Sequence, residues 1–323
     1  MRITRKFLAG MAVAASCAVA SGPVLAQSDT TTLVVGFAAG GSVDASARLM
    51  AEQLQQATGR NVIVENRTGA AGRLAVGHTQ RAKPDGRTLM LVPHGPMTLF
   101  PHLFKQLGFD PATDFTPIGR VATVDYVLVA GNQVPVKTGA DLVAWAKKNP
   151  GAASFGSPGT GTIPHFIGEA VAQRLGIEMT NVPYKGSALT VNDIVAGVVP
   201  LGFMPAADAL PMAKAGRLQI LATSGEERSP LLPAYPTMRE IGIDFVLDGW
   251  YAIYGPAGMD PAQVAELNAN LEAALKKPEI IERFATIGLS AAPSTPGQLV
   301  EIQAGEREEW GRIVQETGFK PLD

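Results

Sequence analysis

"VVGFAAGGSVDASARLMAEQL", residues 34–54, decides the fold. An apolar run ending at Phe37 meets Ala38, Ala39, Gly40 and Gly41. From Asp44 onward, Ala47, Met50, Ala51, Leu54 and Ala57 recur at helical spacing, and Gly59 follows as a C-terminal glycine should. A strand that passes through glycines into a helix presents backbone N–H groups at the helix start. Glycine there lets another group approach closely.

Upstream, Arg2, Arg5 and Lys6 precede an apolar, small-residue core from Phe7 to Ala20. Val24-Leu25-Ala26 offers a cleavage site before Gln27, so residues 1–26 read as a secretory signal peptide. No other apolar run approaches ~18 residues, which makes the mature chain a soluble one by expectation. Cys17, the single cysteine, falls inside the signal, so no disulfide is expected. Ala14-Ala15-Ser16 lacks the leucine of a lipoprotein cleavage site.

Roughly 295 residues remain, enough for two lobes. A net charge of -2 leaves no basic surplus for nucleic acid. "EREEW", Glu306 to Trp310, reads as a solvated helix face.

Downstream, apolar runs alternate with amphipathic stretches, the pattern of an α/β protein. Thr32–Phe37, Asn61–Glu65 and Thr88–Val92 read as strands separated by helices, the second of them spanning residues 72–86. This favours a parallel sheet with right-handed crossovers. A long strand, "FTPIGRVATVDYVLVAG", precedes a second αβ series; another, "DGWYAIYGPAG", precedes C-terminal helices. The expected architecture is two α/β lobes. The first comprises residues 27–122 and 249–323, the second residues 123–248. Segments near Val121–Val129 and Val246–Tyr254 form the hinge.

The opening loop has a counterpart in "ASFGSPGTGTIPHFIGEAV", residues 152–171. Ser157, Gly159, Thr160, Gly161 and Thr162 lie between strand and helix, with Pro164 in the first turn. Either loop alone reads equally well as an ordinary tight turn. One per lobe suggests two helix N-termini facing a cleft, a clamp for an anion that needs no arginine. His165 reads as a ligand contact or a loop brace. His94, after the third strand, overlooks the cleft or lies at the surface. "NVPYKGSALTVNDIVAG" adds a third junction with Tyr184, Lys185 and Gly186; Lys185 is a mobile charge or a plain turn lysine.

Other chemistries lack their motifs. Gly36, Gly40 and Gly41 do not make G-x-G-x-x-G, and no G-x-x-x-x-G-K-[ST] exists. There is no G-x-S-x-G and no mature cysteine nucleophile. His78, His94, His102 and His165 show no i,i+4 pairing.

"GFAAGGSVDASARLMAEQL", "VIVENRTGAAGRLAVGHTQRAKPDGRTLMLV", "DFTPIGRVA", "SPGTGTIPHFIGEAV", "VPYKGSALTVNDIVAG" and "LPAYPTMREIGI" occur in this order. Together they resemble the Bug-type family, the extracytoplasmic solute receptors of tripartite tricarboxylate transporters. The resemblance implies a type II periplasmic-binding-protein fold and a small carboxylate ligand: a di- or tricarboxylate, an acidic amino acid or an aromatic acid. It implies no cofactor, no metal and no catalysis. It implies delivery to integral-membrane permease subunits by a periplasmic monomer. A sensor subunit feeding a kinase is the alternative, and a periplasmic enzyme a more distant one. Carried over, the ligand-binding set comprises Phe37, Ala38, Gly40, Gly41, Ser42 and Asp44 of the first loop, and Ser157, Gly159, Thr160, Gly161, Thr162 and His165 of the second. Tyr184, Lys185 and Gly186 form the third loop, and His94 and Met204 complete the set.

Three features depart from the family. Phe37-Ala38 stands where Tyr-Pro is usual, and His94-Gly95-Pro96 where small hydroxylated residues are usual. Pro200 and Met204 replace two aspartates in "VPLGFMPAAD". These changes imply a distal pocket suited to a less polar or aromatic acid.

Overall fold

The computed structural model describes residues 30–149, 151–317 and 321–322. The predicted signal peptide lies outside them. The chain opens with β1 (Thr30–Val35), α1 (Ser42–Thr58), β2 (Asn61–Asn66), α2 (Arg73–Gln80) and β3 (Thr88–Pro93). β1 pairs in parallel with both β2 and β3. Leu33, Val34 and Val35 are fully buried, as befits a strand covered on both faces. β1 stops at Val35 rather than Phe37, because Gly36 packs against Gly72: a methyl group on Gly36 would lie 2.6 Å from the Gly72 Cα. α2 is shorter than the spacing suggests, beginning only after Gly72 takes a left-handed φ of 91°.

Two short helices, α3 (Gly95–Thr98) and α4 (Phe100–Leu103), lead to β4, a 17-residue strand from Phe115 to Gly131. The second series is α5 (Gly139–Lys148), β5 (Ser154–Ser157), α6 (Ile163–Leu175), β6 (Thr180–Pro183), α7 (Ser187–Val195), β7 (Leu201–Pro205), α8 (Ala206–Lys214) and β8 (Leu218–Thr223). The chain then returns through β9 (Asp248–Pro256), α9 (Pro261–Leu275), α10 (Pro278–Thr286), β10 (Ser290–Ala291) and α11 (Pro296–Thr317).

The strand order is β2-β1-β3-β9-β4-β7-β5-β6. β4 joins the two halves of this curled sheet. Its residues 115–125 pair antiparallel with β9, and residues 126–131 pair with β7 and β8. Irregular register near Gly119, Val121 and Val129 bends it between the halves. The first half packs Val34, Met90, Val92, Trp250 and Tyr254 together. The second packs Val127, Val129, Ile194, Met204 and Ile220.

"EREEW" is a solvated face only in part: Glu308 and Glu309 are exposed, but its other side turns inward. Trp310 is buried against Phe166, and Glu306 accepts from Trp250 Nε1 at 2.6 Å and pairs with His94. One aromatic contact and two polar contacts of Glu306 therefore turn this side of α11 inward, where sequence charge alone pointed it to water.

Candidate functional site

A cavity of about 560 Å³, its open mouth included, lies where the two halves of the sheet meet. The first half contributes Phe37, Ala38, Gly41, Ser42 and Val43 from the first loop and the start of α1, together with Ala71, Pro93, Gly95, Pro96, Phe100 and Tyr251. The second contributes Pro158, Thr162, Ile163 and Pro164 from the second loop and α6, with Ser187, Pro205 and Asp208. Tyr126 stands on β4 where that strand passes between the halves. Among the described lining residues there is no lysine, arginine or histidine.

The walls follow from local structure. Gly41 and Thr162 are extended N-caps, so the first turns of α1 and α6 both point amides into this region. Pro164 fits the first turn of α6, which has no intrahelical use for its missing N–H. Ala70 and Ala71 hold left-handed φ angles of 47° and 56°, a conformation costly for alanine. That turn brings the Ala71 Cα to 3.4 Å from where a methyl on Gly159 would sit.

Contacts tie the halves together across the cavity. The Ala38 amide donates to the Lys185 carbonyl at 3.0 Å. The Ser42 amide donates to Asp208 Oδ1 at 2.5 Å. Ser42 Oγ meets Tyr251 Oη at 2.8 Å. Burial pushes the Asp208 carboxyl above its usual range despite the hydrogen bonds from Ser187 and Ser42 that favour its charge. Burial likewise holds the Tyr126 and Tyr251 hydroxyls well above the usual tyrosine range.

Of the residues the sequence singled out, Phe37, Ala38, Gly41, Ser42 and Thr162 line the cavity. The others stand behind or beside it. Asp44 braces the first loop: it accepts from Gly40 N, Arg48 and Asn66 Nδ2 at 2.9–3.0 Å. Burial raises its carboxyl, but those hydrogen bonds and the Arg48 charge outweigh it and hold the group below its usual range. In the second loop, Ser157 Oγ donates to Asn181 at 2.7 Å, Thr162 Oγ1 donates to the Gly159 carbonyl at 2.7 Å, and Thr160 is exposed. His165 Nδ1 accepts from the Gly161 amide at 2.9 Å, a brace within the loop.

His94 neither overlooks the cavity nor lies at the surface. It is fully buried, with Nδ1 at 3.0 Å from Glu306 and Nε2 at 2.9 Å from Tyr126 Oη, so it positions Tyr126 from behind. Tyr184 turns its hydroxyl to Asp193 at 2.7 Å; burial and that carboxylate push it up to about 12. The Lys185 side chain is exposed, and only its carbonyl faces the first loop. Gly186 holds a φ of 128° close against the Ala38 backbone. Met204 packs into the core of the second half, because strand alternation turns Pro205 to the cavity and Met204 away from it.

Sequence reasoning did not reach Asp208, Ser187, Tyr126 or Tyr251. Asp208 had a local signal, an acid in the first turn of α8. Its partner, though, is 166 residues away.

The sequence model of the tripartite tricarboxylate transporter family receptor matches residues 46–319. Protein BugT of Bordetella pertussis is 33% identical over 290 residues, covering 89% of this chain and 89% of its own. Rpa4515 of R. palustris, solved with adipate, superposes with a TM-score of 0.87 at 30% identity, covering 91% of this chain and 98% of its own. MatC of Rhodopseudomonas palustris, solved with malate, gives 0.83 at 28% identity over 88% and 98% of the two chains.

Proposed function

The chain belongs to the tripartite tricarboxylate transporter receptor family. From that premise we propose that it is a periplasmic solute-binding receptor that captures a small carboxylate between two lobes and offers the closed form to a membrane permease. Residues 1–26 direct export. Residues 27–122 and 249–323 form one lobe and residues 123–248 the other, with β4 and the segment entering β9 as hinges. Ligand binding closes the lobes about these strands.

The observation that carries this reading is one cavity lined by the first turns of α1 and α6, which belong to different halves of the sheet. First-turn amides and the helix dipole favour an anion there without a cationic side chain. Hydrogen bonds to a charged group contribute about 1.5–3 kcal/mol each, so a few of them, less the ordering costs, support micromolar binding. The adipate and malate held by Rpa4515 and MatC point to the same ligand class.

The test is thermal unfolding of the chain from Gln27 onward against carboxylic acids and their amides. A ligand at a hundred times its Kd stabilises the fold by about 2.7 kcal/mol. An acid should raise the melting temperature and its amide should not. A rise with neutral solutes and none with any acid would remove the carboxylate reading.

A further inference from the structure

The cavity that serves a carboxylate carries a carboxylate of its own. Asp208 is the sole acid among the described lining residues, and no cationic side chain lines the wall to balance it. Its Oδ1 already occupies the Ser42 amide, one of the helix-start donors an anionic ligand would seek. That hydrogen bond from the opposite half holds the carboxylate in place. Phe37, Phe100, Tyr126 and Tyr251 supply aromatic wall around the same space. A ligand with a carboxylate at each end would set one of them against Asp208 in a site sheltered from water, where like charges repel strongly. A positive group is favoured there twice, by the carboxylate and by aromatic faces.

Resting on the carboxylate-receptor reading, we propose that the ligand is a zwitterion, an ammonium-bearing carboxylic acid whose cation pairs with Asp208 while its carboxylate takes the amides at the start of α6. Asp208 is then the specificity-determining residue that separates amino acids from dicarboxylates.

The experiment is calorimetric titration of the chain from Gln27 onward with matched straight-chain sets from butanoate to octanoate. Each set holds the plain acid, its α-amino and ω-amino derivatives and the dicarboxylate. At the preferred length, an amino acid should bind roughly tenfold to a hundredfold tighter than the plain acid and the dicarboxylate. Asp208→Asn keeps the shape and an acceptor for the Ser42 amide, and should erase that preference. Repeating the titration in buffers of different ionisation heat supplies a readout that folding does not mimic. An ammonium lowers the Asp208 pKa and releases protons on binding in weak acid, whereas a second carboxylate would take them up. A dicarboxylate that binds tightest at every length, with Asp208→Asn unchanged in rank order, overturns the proposal and leaves the carboxylate receptor standing. Failure of every acid alongside a response to neutral solutes overturns both.

Discussion

The two glycine loops read almost alike in sequence and differ in what their backbones do. In the first loop, Ala38, Gly40 and Ser42 already spend their amides on Lys185, Asp44 and Asp208. Two of these three acceptors come from the other half of the molecule. In the second loop, Gly161 and Thr162 bond only within the loop, to His165 and Gly159. The first loop is therefore a surface on which the halves close. The second loop meets the other half by packing alone, Gly159 against Ala71 and Gly161 against Phe104, while its amides stay within the loop. A glycine loop at a helix start is permission for close approach, and the fold decides whether the protein or the solute uses it.

The comparison breaks most sharply at one glycine in each loop. Gly40 and Gly161 have similar left-handed φ angles, 91° and 84°. A methyl on Gly40 meets nothing within 4 Å, whereas one on Gly161 would lie 2.6 Å from the Phe104 ring. Gly40→Ala should cost about 1–2 kcal/mol, the conformational penalty alone. Gly161→Ala adds overpacking of about 1–3 kcal/mol to the same penalty. Paired denaturant melts check this. Equal losses would mean that Phe104 yields freely and that the second loop is no more confined than the first.

Asp44 and Asp208 form the next contrast, because the same set of contacts contains carboxyls shifted in opposite directions. Asp44 is held below its usual range, so its stabilisation is present above the unfolded pKa and lost as pH falls through the lower, folded one. Asp208 is raised, so it favours the fold below the unfolded pKa and loses that contribution as pH rises through the folded one. Asp44→Asn should therefore destabilise by about 1–3 kcal/mol near neutral pH, the scale of hydrogen bonds to a charged group. Its deficit should shrink toward strong acid. Melts across pH check the sign: a deficit that grows in acid would place the brace elsewhere.

Much of this was legible beforehand, for reasons that also mark the limit. The αβ alternation, the 17-residue strand and the C-terminal glycine of α1 are local, and periodicity carries them. Phe37, Ala38, Gly41, Ser42 and Thr162, which the family resemblance places on the two glycine loops, do line the cavity. The resemblance points to Met204 because it stands where the family has an aspartate, yet the side-chain alternation of β7 sends Pro205 to the cavity instead. The carboxylate thought missing from that strand end enters four residues later, from Asp208. His94 needed knowledge of Glu306, 212 positions along the chain. No spacing rule reaches such a pairing.

The smallest expected effect isolates backbone from side chain in the third loop. Lys185 has the features that draw attention in a sequence: a charge beside a glycine at a helix start. In the structure its carbonyl receives the Ala38 amide, and its side chain is exposed. Lys185→Ala keeps the carbonyl, so stability should change by less than about 0.5 kcal/mol, as for exposed positions generally. Ligand affinity should stay within about twofold at moderate salt, where an exposed charge is largely screened. A large loss of affinity for an acid would mean that the ammonium folds over the cavity when ligand is present, and the clamp would then not be made of backbone alone. An unchanged affinity would assign the third loop's contribution to its main chain, the same currency in which the first loop closes.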